Sequence, residues 1–355
     1  MKFSAARAKL PTLKNSLLAI VSAILLIAAF PDFDFWFLAW CALLPLFFAV
    51  EREKQSVIKS FVLGWIFGVC FFFGSCWWLT FAPTTYGGVP AIVSYALLFG
   101  ATLIVGLFPA IFAALFALFL KRFGSCAILS APFLWTATEF LRFNLTGNNW
   151  NAIGYSQAFE IHLIQPANLG GVYLVGFLIL AVNTALNFIL VYKRKKLSLV
   201  GIAIIFLVVQ LLGLSHYDIE FGKRNYDSMP DNFQRVVAIQ PNVPMGGLEY
   251  GESEILRSRH IELAENALRK IKEQKTNDER QSTIVIFPES PMNFEYESDR
   301  ELKSFLRDFA VKNNASVLFN SAQPNTRGTN FFNSAVMINP KGEKIAQYDK
   351  IHLVP

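Results

Sequence analysis

Long apolar runs separated by short polar breaks fill the first 215 residues, and seven of these runs approach the length of a bilayer-crossing helix. They fall near residues 15–30, 36–50, 60–82, 91–120, 125–141, 171–192 and 198–215; a crossing of ~30 Å of hydrocarbon takes about 20 largely apolar residues. Beyond residue 233 the period changes. Short β-rich runs at 235–240 (RVVAIQ), 283–289 (TIVIFPE), 316–322 (SVLFNSA), 333–339 (NSAVMIN) and 343–353 (EKIAQYDKIHL) alternate with two amphipathic stretches, 252–274 and 299–313. The first helix carries an apolar stripe of Ile255, Leu256, Leu263, Ala267, Leu268 and Ile271, and the second carries Leu302, Phe305, Leu306 and Phe309. The pattern predicts a helical transmembrane domain over 1–215, a linker over 216–233 and a layered α/β or α+β domain over 234–355, with NPKG as a hairpin turn.

Composition sharpens this picture. Hydrophobic residues make up 54% of the 355 positions and charged residues 16%, with a mean hydropathy of +0.40; soluble domains average roughly 25% charged residues. Phe alone accounts for 35 positions, so the apolar content is bulky and intrinsic disorder is excluded. The net charge of +6 is unevenly spread: residues 1–215 hold 14 Lys and Arg against 6 Asp and Glu, and the remainder 18 against 20. Such a distribution is no nucleic-acid footprint. The basic residues sit in the segments Lys2–Lys14, Arg52–Lys59, Lys121–Arg122 and Lys193–Lys196, which the positive-inside rule places in the cytoplasm. Seven crossings from a cytoplasmic N-terminus then leave everything after about residue 216 outside. The first run leads into AAFPDFDFW without an A-x-A-like cleavage site, so it reads as a retained span. The four cysteines, Cys41, Cys70, Cys76 and Cys126, lie in or beside apolar runs and read as small buried side chains. Their spacing offers no metal cluster.

Three places could carry chemistry. Glu289, between two prolines in VIFPESP, sits at the carboxyl end of an apolar strand, where layered sheets gather ligands. With Phe287 and Met292 beside it, its pKa would be raised to suit a general base, although position alone favours a solvated turn glutamate. In YDKIHLVP, alternation points Tyr348, Lys350 and His352 to one face, and a lysine there can steady a developing oxyanion or simply be solvated. The outer stretch 142–169, rich in Asn, Gly and aromatics, adjoins Glu139; with Trp150 and Tyr155 it is a candidate for lipid-headgroup contact or for plain loop packing. Trp77 and Trp78 fit an aromatic belt.

The boxes VVAIQPNVP, FPES and YDKIHLVP, in this order after a multi-span membrane part that contains GYSQ and LIQPANLGG, resemble the apolipoprotein N-acyltransferase family, membrane members of the nitrilase or carbon–nitrogen hydrolase superfamily. The resemblance runs from about residue 15 to the last residue. It implies an extracytoplasmic nitrilase-like αββα domain on a bacterial inner membrane, a Glu-Lys-Cys triad, and no cofactor or metal. Matched by motif, Glu289 is the general base and Lys350 the lysine that stabilises the tetrahedral intermediate. The implied reaction passes an acyl chain from a phospholipid to a Cys thiolate, and from that thioester to the α-amine of a diacylglyceryl-cysteine at a lipoprotein N-terminus. Two departures stand out. Where the family has a Trp after the first strand this sequence reads GGLEYGE, leaving Tyr250 as the substitute; and the family's nucleophilic Cys, which follows the lysine box, is absent. The expectation is therefore a truncated chain, inactive alone, whose αββα domain is incomplete and whose partner is a complementing C-terminal chain. A non-catalytic lipid or lipoprotein binder of the same fold and a membrane-tethered amidase are the alternatives. A transporter is disfavoured because the spans hold scarcely any ionisable residue besides Glu139.

Overall fold

The computed structural model describes residues 10–191, 201–202, 234–242, 252–273, 283–289, 295–324 and 330–351. Most of the candidate span 198–215, the segment 216–233, and Tyr250, Met292 and His352 lie outside the described residues. The chain divides into two compact units, Met1–Arg224 and Asn225–Pro355.

In the first unit the helices are α1 (Leu13–Ala28), α2 (Leu44–Glu53), α3 (Val57–Ser75), α4 (Phe81–Thr85), α5 (Ala91–Val105), α6 (Leu107–Phe123), α7 (Ala131–Thr146) and α8 (Ala167–Leu190), with short 3-10 turns between several of them. Among the described residues three helical stretches are long and apolar enough to cross a membrane: Val57–Ser75, Ala91–Thr146 and Ala167–Leu190; Leu13–Ala28 is a shorter apolar helix. The expected single run over 36–50 is instead a 3-10 turn, Trp36–Trp40, followed by the ten-residue α2, because Pro45 in the first turn of α2 starts a helix rather than continuing one. The 56-residue stretch Ala91–Thr146 is far longer than one crossing and is reset at Gly124, whose φ of +64° no β-substituted residue adopts comfortably.

Close backbone approach holds this bundle. Gly64 and Gly68, one turn apart on α3, face α6: a Cβ on Gly64 would stand 2.3 Å from the Pro109 carbonyl oxygen, and one on Gly68 would stand 2.8 Å from the Gly106 Cα. This is the small-xxx-small contact of membrane helices, where dispersion rather than water exclusion joins the helices. Around it Phe47, Phe67, Phe112 and Phe116 are almost completely buried, with Phe112 in edge contact with Trp135. At one end Glu53 accepts from the Asn15 side chain at 2.9 Å and from Lys59 Nζ at 3.1 Å, tying α1, α2 and α3 together.

The second unit is a five-stranded mixed sheet in the order β1 (Arg235–Ala238), β2 (Thr283–Ile286), β3 (Ala315–Pro324), β4 (Phe331–Ile338), β5 (Lys344–Asp349). The first three strands run parallel and the last two antiparallel. Helices α9 (Glu252–Glu273) and α10 (Arg300–Asn313) are the crossovers that parallel strands require. Asp299 caps α10 by accepting from the Leu302 N–H at 2.9 Å, and Asn314 ends it in the left-handed region. Alternate residues Val285, Val317, Phe319, Val336 and Ile338 are fully buried against Ala264, Leu268, Leu302, Leu306 and Phe309. Leu263 and Phe305, expected in the helical stripes, stand more than a third exposed at their edges; His260 and Ala264 fill the buried row on α9. NPKG turns the β4–β5 hairpin: the Asn339 side chain accepts from the Lys341 and Glu343 N–H groups, and Gly342 takes φ +78°.

Candidate active site

Glu289 owes its position to the end of β2. The Phe287 N–H still donates to the Leu318 carbonyl at 2.9 Å, continuing the parallel ladder. Pro288 then has no N–H to offer, pairing stops, and Glu289 turns out beyond the carboxyl end of the strand. Lys350 follows β5, where its N–H donates to the Asn333 carbonyl at 2.8 Å and extends the antiparallel ladder by one residue. The carboxyl ends of an inner strand and an edge strand thus bring Lys350 Nζ within 2.8 Å of Glu289 Oε1, 61 positions away in sequence.

Asn333 on β4 connects the pair. Its Nδ2 donates to Glu289 Oε1 at 2.8 Å, its backbone oxygen holds Lys350, and its Oδ1 accepts from Asn320 on β3. The three polar residues border a cavity of about 270 Å³ over the sheet, with Ile286, Leu318, Ala335 and Tyr348 forming its apolar lining. Next to it, Asp349 accepts from Ser334 Oγ at 2.6 Å and from Gln347 at 2.8 Å; these bonds hold its carboxyl below the usual range.

The Glu289 carboxyl is likewise held below the ordinary carboxylate value, first by the Lys350 hydrogen bond, then by the Asn333 amide and the lysine charge. Apolar neighbours were expected to raise it. The side chain, however, is 59% exposed, so desolvation is the smallest influence and the two donors decide the sign. The group is therefore ionised and ready to accept a proton at neutral pH, beside a fixed positive charge. That combination suits the deprotonation of a nucleophile and the stabilisation of an oxyanion.

The other candidates lie elsewhere. Tyr250 and His352 are outside the described residues. Glu139 and Trp150 belong to the first unit, on α7 and in the loop after it, and Tyr155 to the 3-10 turn Ile153–Gln157. There Glu139 Oε1 accepts from the Ile153 N–H at 2.8 Å, while Arg142 Nη1 donates to the Trp150 carbonyl at 2.7 Å, so the two pin the loop to α7. Gly154 permits this: a Cβ on it would lie 2.4 Å from the Val172 carbonyl oxygen on α8. Trp150 meets Trp78 edge-on at 5.2 Å, and Tyr155 is nearly half exposed. All four cysteines are free thiols of the first unit. Asn333, Asn320 and Arg142 were not singled out from sequence; the period-two alternation along β3 and β4 could have placed the two asparagines on the face that carries Lys350.

Residues 22–185 match the family model for the apolipoprotein N-acyltransferase N-terminal domain. The apolipoprotein N-acyltransferase of Geobacter metallireducens is 29% identical over 354 residues, covering 96% of this chain and 64% of its own length. That of Vibrio cholerae is 26% identical over 341 residues, covering 92% and 62%, and that of Pasteurella multocida 33% identical over 204 residues, covering 56% and 38%.

Over most of its length the chain is similar to apolipoprotein N-acyltransferases.

It spans less than two thirds of the length of these relatives. The match to the acyltransferases of Geobacter and Vibrio extends well past residue 185, so it takes in the mixed sheet as well as the helices. The relatives are named as acyltransferases, and the apolar helices have the length and composition of membrane spans.

Proposed function

We propose that this chain carries the acid–base and oxyanion-stabilising half of a phospholipid-dependent acyltransferase that acts on lipoprotein N-termini. The observation that carries the reading is the Glu289–Lys350 contact at 2.8 Å, on the rim of a partly apolar cavity at the carboxyl ends of the strands. In this reading Glu289 takes the proton from a thiol and the thiolate attacks an ester carbonyl of the phospholipid. Lys350 Nζ offsets the charge that develops on that carbonyl oxygen. Collapse of the intermediate expels the lysophospholipid alkoxide, which recovers the proton from Glu289 and leaves an acyl thioester. The amine of a diacylglyceryl-cysteine then attacks the thioester, its excess proton passing through Glu289 to the departing sulfur.

Residues 225–355 contain no cysteine, so in this reading the thiolate comes from outside them. In this reading the sheet is a layer of a nitrilase-like αββα sandwich. The positive-inside pattern supports a cytoplasmic N-terminus and an extracytoplasmic sheet unit in a bacterial inner membrane. The lack of a cysteine there also favours a second reading, a lipid or lipoprotein binder without turnover.

The test uses the whole protein produced from the locus, in detergent with phosphatidylethanolamine and a synthetic diacylglyceryl-cysteine peptide, and mass spectrometry of the peptide. Gain of one acyl chain is expected, with Glu289→Gln and Lys350→Met each slowing it at least ~10²-fold, the usual worth of a proton-transfer or oxyanion group. Undiminished transfer in Glu289→Gln overturns the assignment, and absence of any transfer favours the binder.

A further inference from the structure

We propose that the small cavity beside Arg142 in the helical unit binds the phosphate of a membrane lipid. Arg142 is the one Lys or Arg between Arg122 and Lys193. It lies near the end of α7 and is only 3% exposed. Its guanidinium is only partly satisfied: Nη1 donates to the Trp150 carbonyl, the Phe72 ring lies 5.1 Å from the guanidinium carbon, and Nη2 is buried with no hydrogen-bond partner. Glu139 is near enough to attract it, yet no N–O distance within 4.0 Å joins the two among the described residues, and Glu139 Oε1 is committed to the Ile153 N–H.

A buried cation without a full set of partners is costly, by several kcal/mol in general, and an anion brought to it removes that cost. The cavity against the guanidinium has a volume of about 150 Å³. At about 30 Å³ per water-sized group this is room for roughly five such groups, the size of a phosphate with its four oxygens. Phe72, Leu98 and Val105 contribute apolar wall, while Thr102, Thr146 and Asn148 add polar groups. The unit offers helices long enough to cross a bilayer, and the anion that a bilayer presents at the border of its hydrocarbon is the lipid phosphodiester. A guanidinium suits it, being planar, permanently charged and weakly hydrated. This site is independent of the Glu289–Lys350 reading and stands if that reading fails.

The experiment is native mass spectrometry of the full chain in neutral maltoside detergent, titrated with dodecyl phosphate, with a neutral dodecyl ether, and with inorganic phosphate. One dodecyl phosphate per chain is expected, held at least ten times more tightly than either control. Arg142→Gln should lose that preference, and so should Ala101→Phe, which fills the cavity and leaves the guanidinium in place. The second variant carries the test where Arg142→Gln fails to fold. Unchanged retention in Ala101→Phe overturns the proposal, as does equal retention of the neutral ether. Inorganic phosphate binding as well as dodecyl phosphate would assign a free-anion site and overturn the lipid.

Discussion

Replacing Lys350 by Gln should shift the protonation of Glu289 while barely touching stability. The two groups are 2.8 Å apart, but the carboxylate side chain is 59% and the lysine 33% exposed. In near-aqueous surroundings the Coulomb attraction at that distance is about 1.5 kcal/mol, and fixing two flexible side chains uses much of it, leaving the ~0.2–1 kcal/mol typical of exposed pairs. The titration responds differently, because the lysine hydrogen bond is the largest influence depressing the Glu289 carboxyl and the Asn333 amide the next. Carbodiimide couples to the protonated carboxyl, so labelling of the Glu289 peptide against pH, read by mass spectrometry on the full chain in detergent, reports the protonated fraction. Relative to the parent, the labelling profile should move to higher pH in Lys350→Gln and by less in Asn333→Ala. An unmoved profile in Lys350→Gln, or a larger move in Asn333→Ala, refutes the account of the pair. A stability loss beyond about 2 kcal/mol would show that the pair is part of the structural frame instead.

Three other outcomes follow from the packing and charges. Gly64→Ala should lower the thermal stability of the detergent-solubilised protein by about 1–3 kcal/mol, the usual cost of overpacking, because its Cβ has no room against Pro109 and Ala113 on α6; Gly100→Ala, with nothing within 4 Å, should not. Phe319→Ala empties the middle of the sheet core beside Tyr296 and should cost about 3–5 kcal/mol, seen as faster proteolysis within residues 225–355 with the helices spared. Glu297 is held below the ordinary carboxylate value by Lys344 and Lys303. Its depressed folded-state pKa means that the contribution is full above the unfolded value near 4.3 and fades as pH falls through the folded value. The stability difference between parent and Glu297→Gln should therefore be small but present at pH 7 and absent in strong acid, and a difference that grows on acidification would contradict the sign.

The linear pattern of residues was enough to place the elements of the sheet unit, since each strand and helix advertises itself through a local period of 2 or 3.6 and through caps such as Asp299 and the NPKG turn. It also marked FPES and YDKIHLVP as places to look. By periodicity it could not set helix breaks in the apolar half, because a uniformly apolar run carries no period: Trp36–Trp40 and α2 read as one span, although Pro45 stands at the break. Nor could it find Asn333, whose part depends on β4 lying between β3 and β5 in the sheet. The sign of the Glu289 shift was another tertiary decision. Sequence supplied apolar neighbours, whereas the fold supplied solvent, an ammonium and an amide at hydrogen-bonding distance. Identity and order of side chains thus determined which chemistry was available; the pairing of distant strands and helices determined which groups meet, because contact energies fall off within a few ångströms and sequence distance does not measure them.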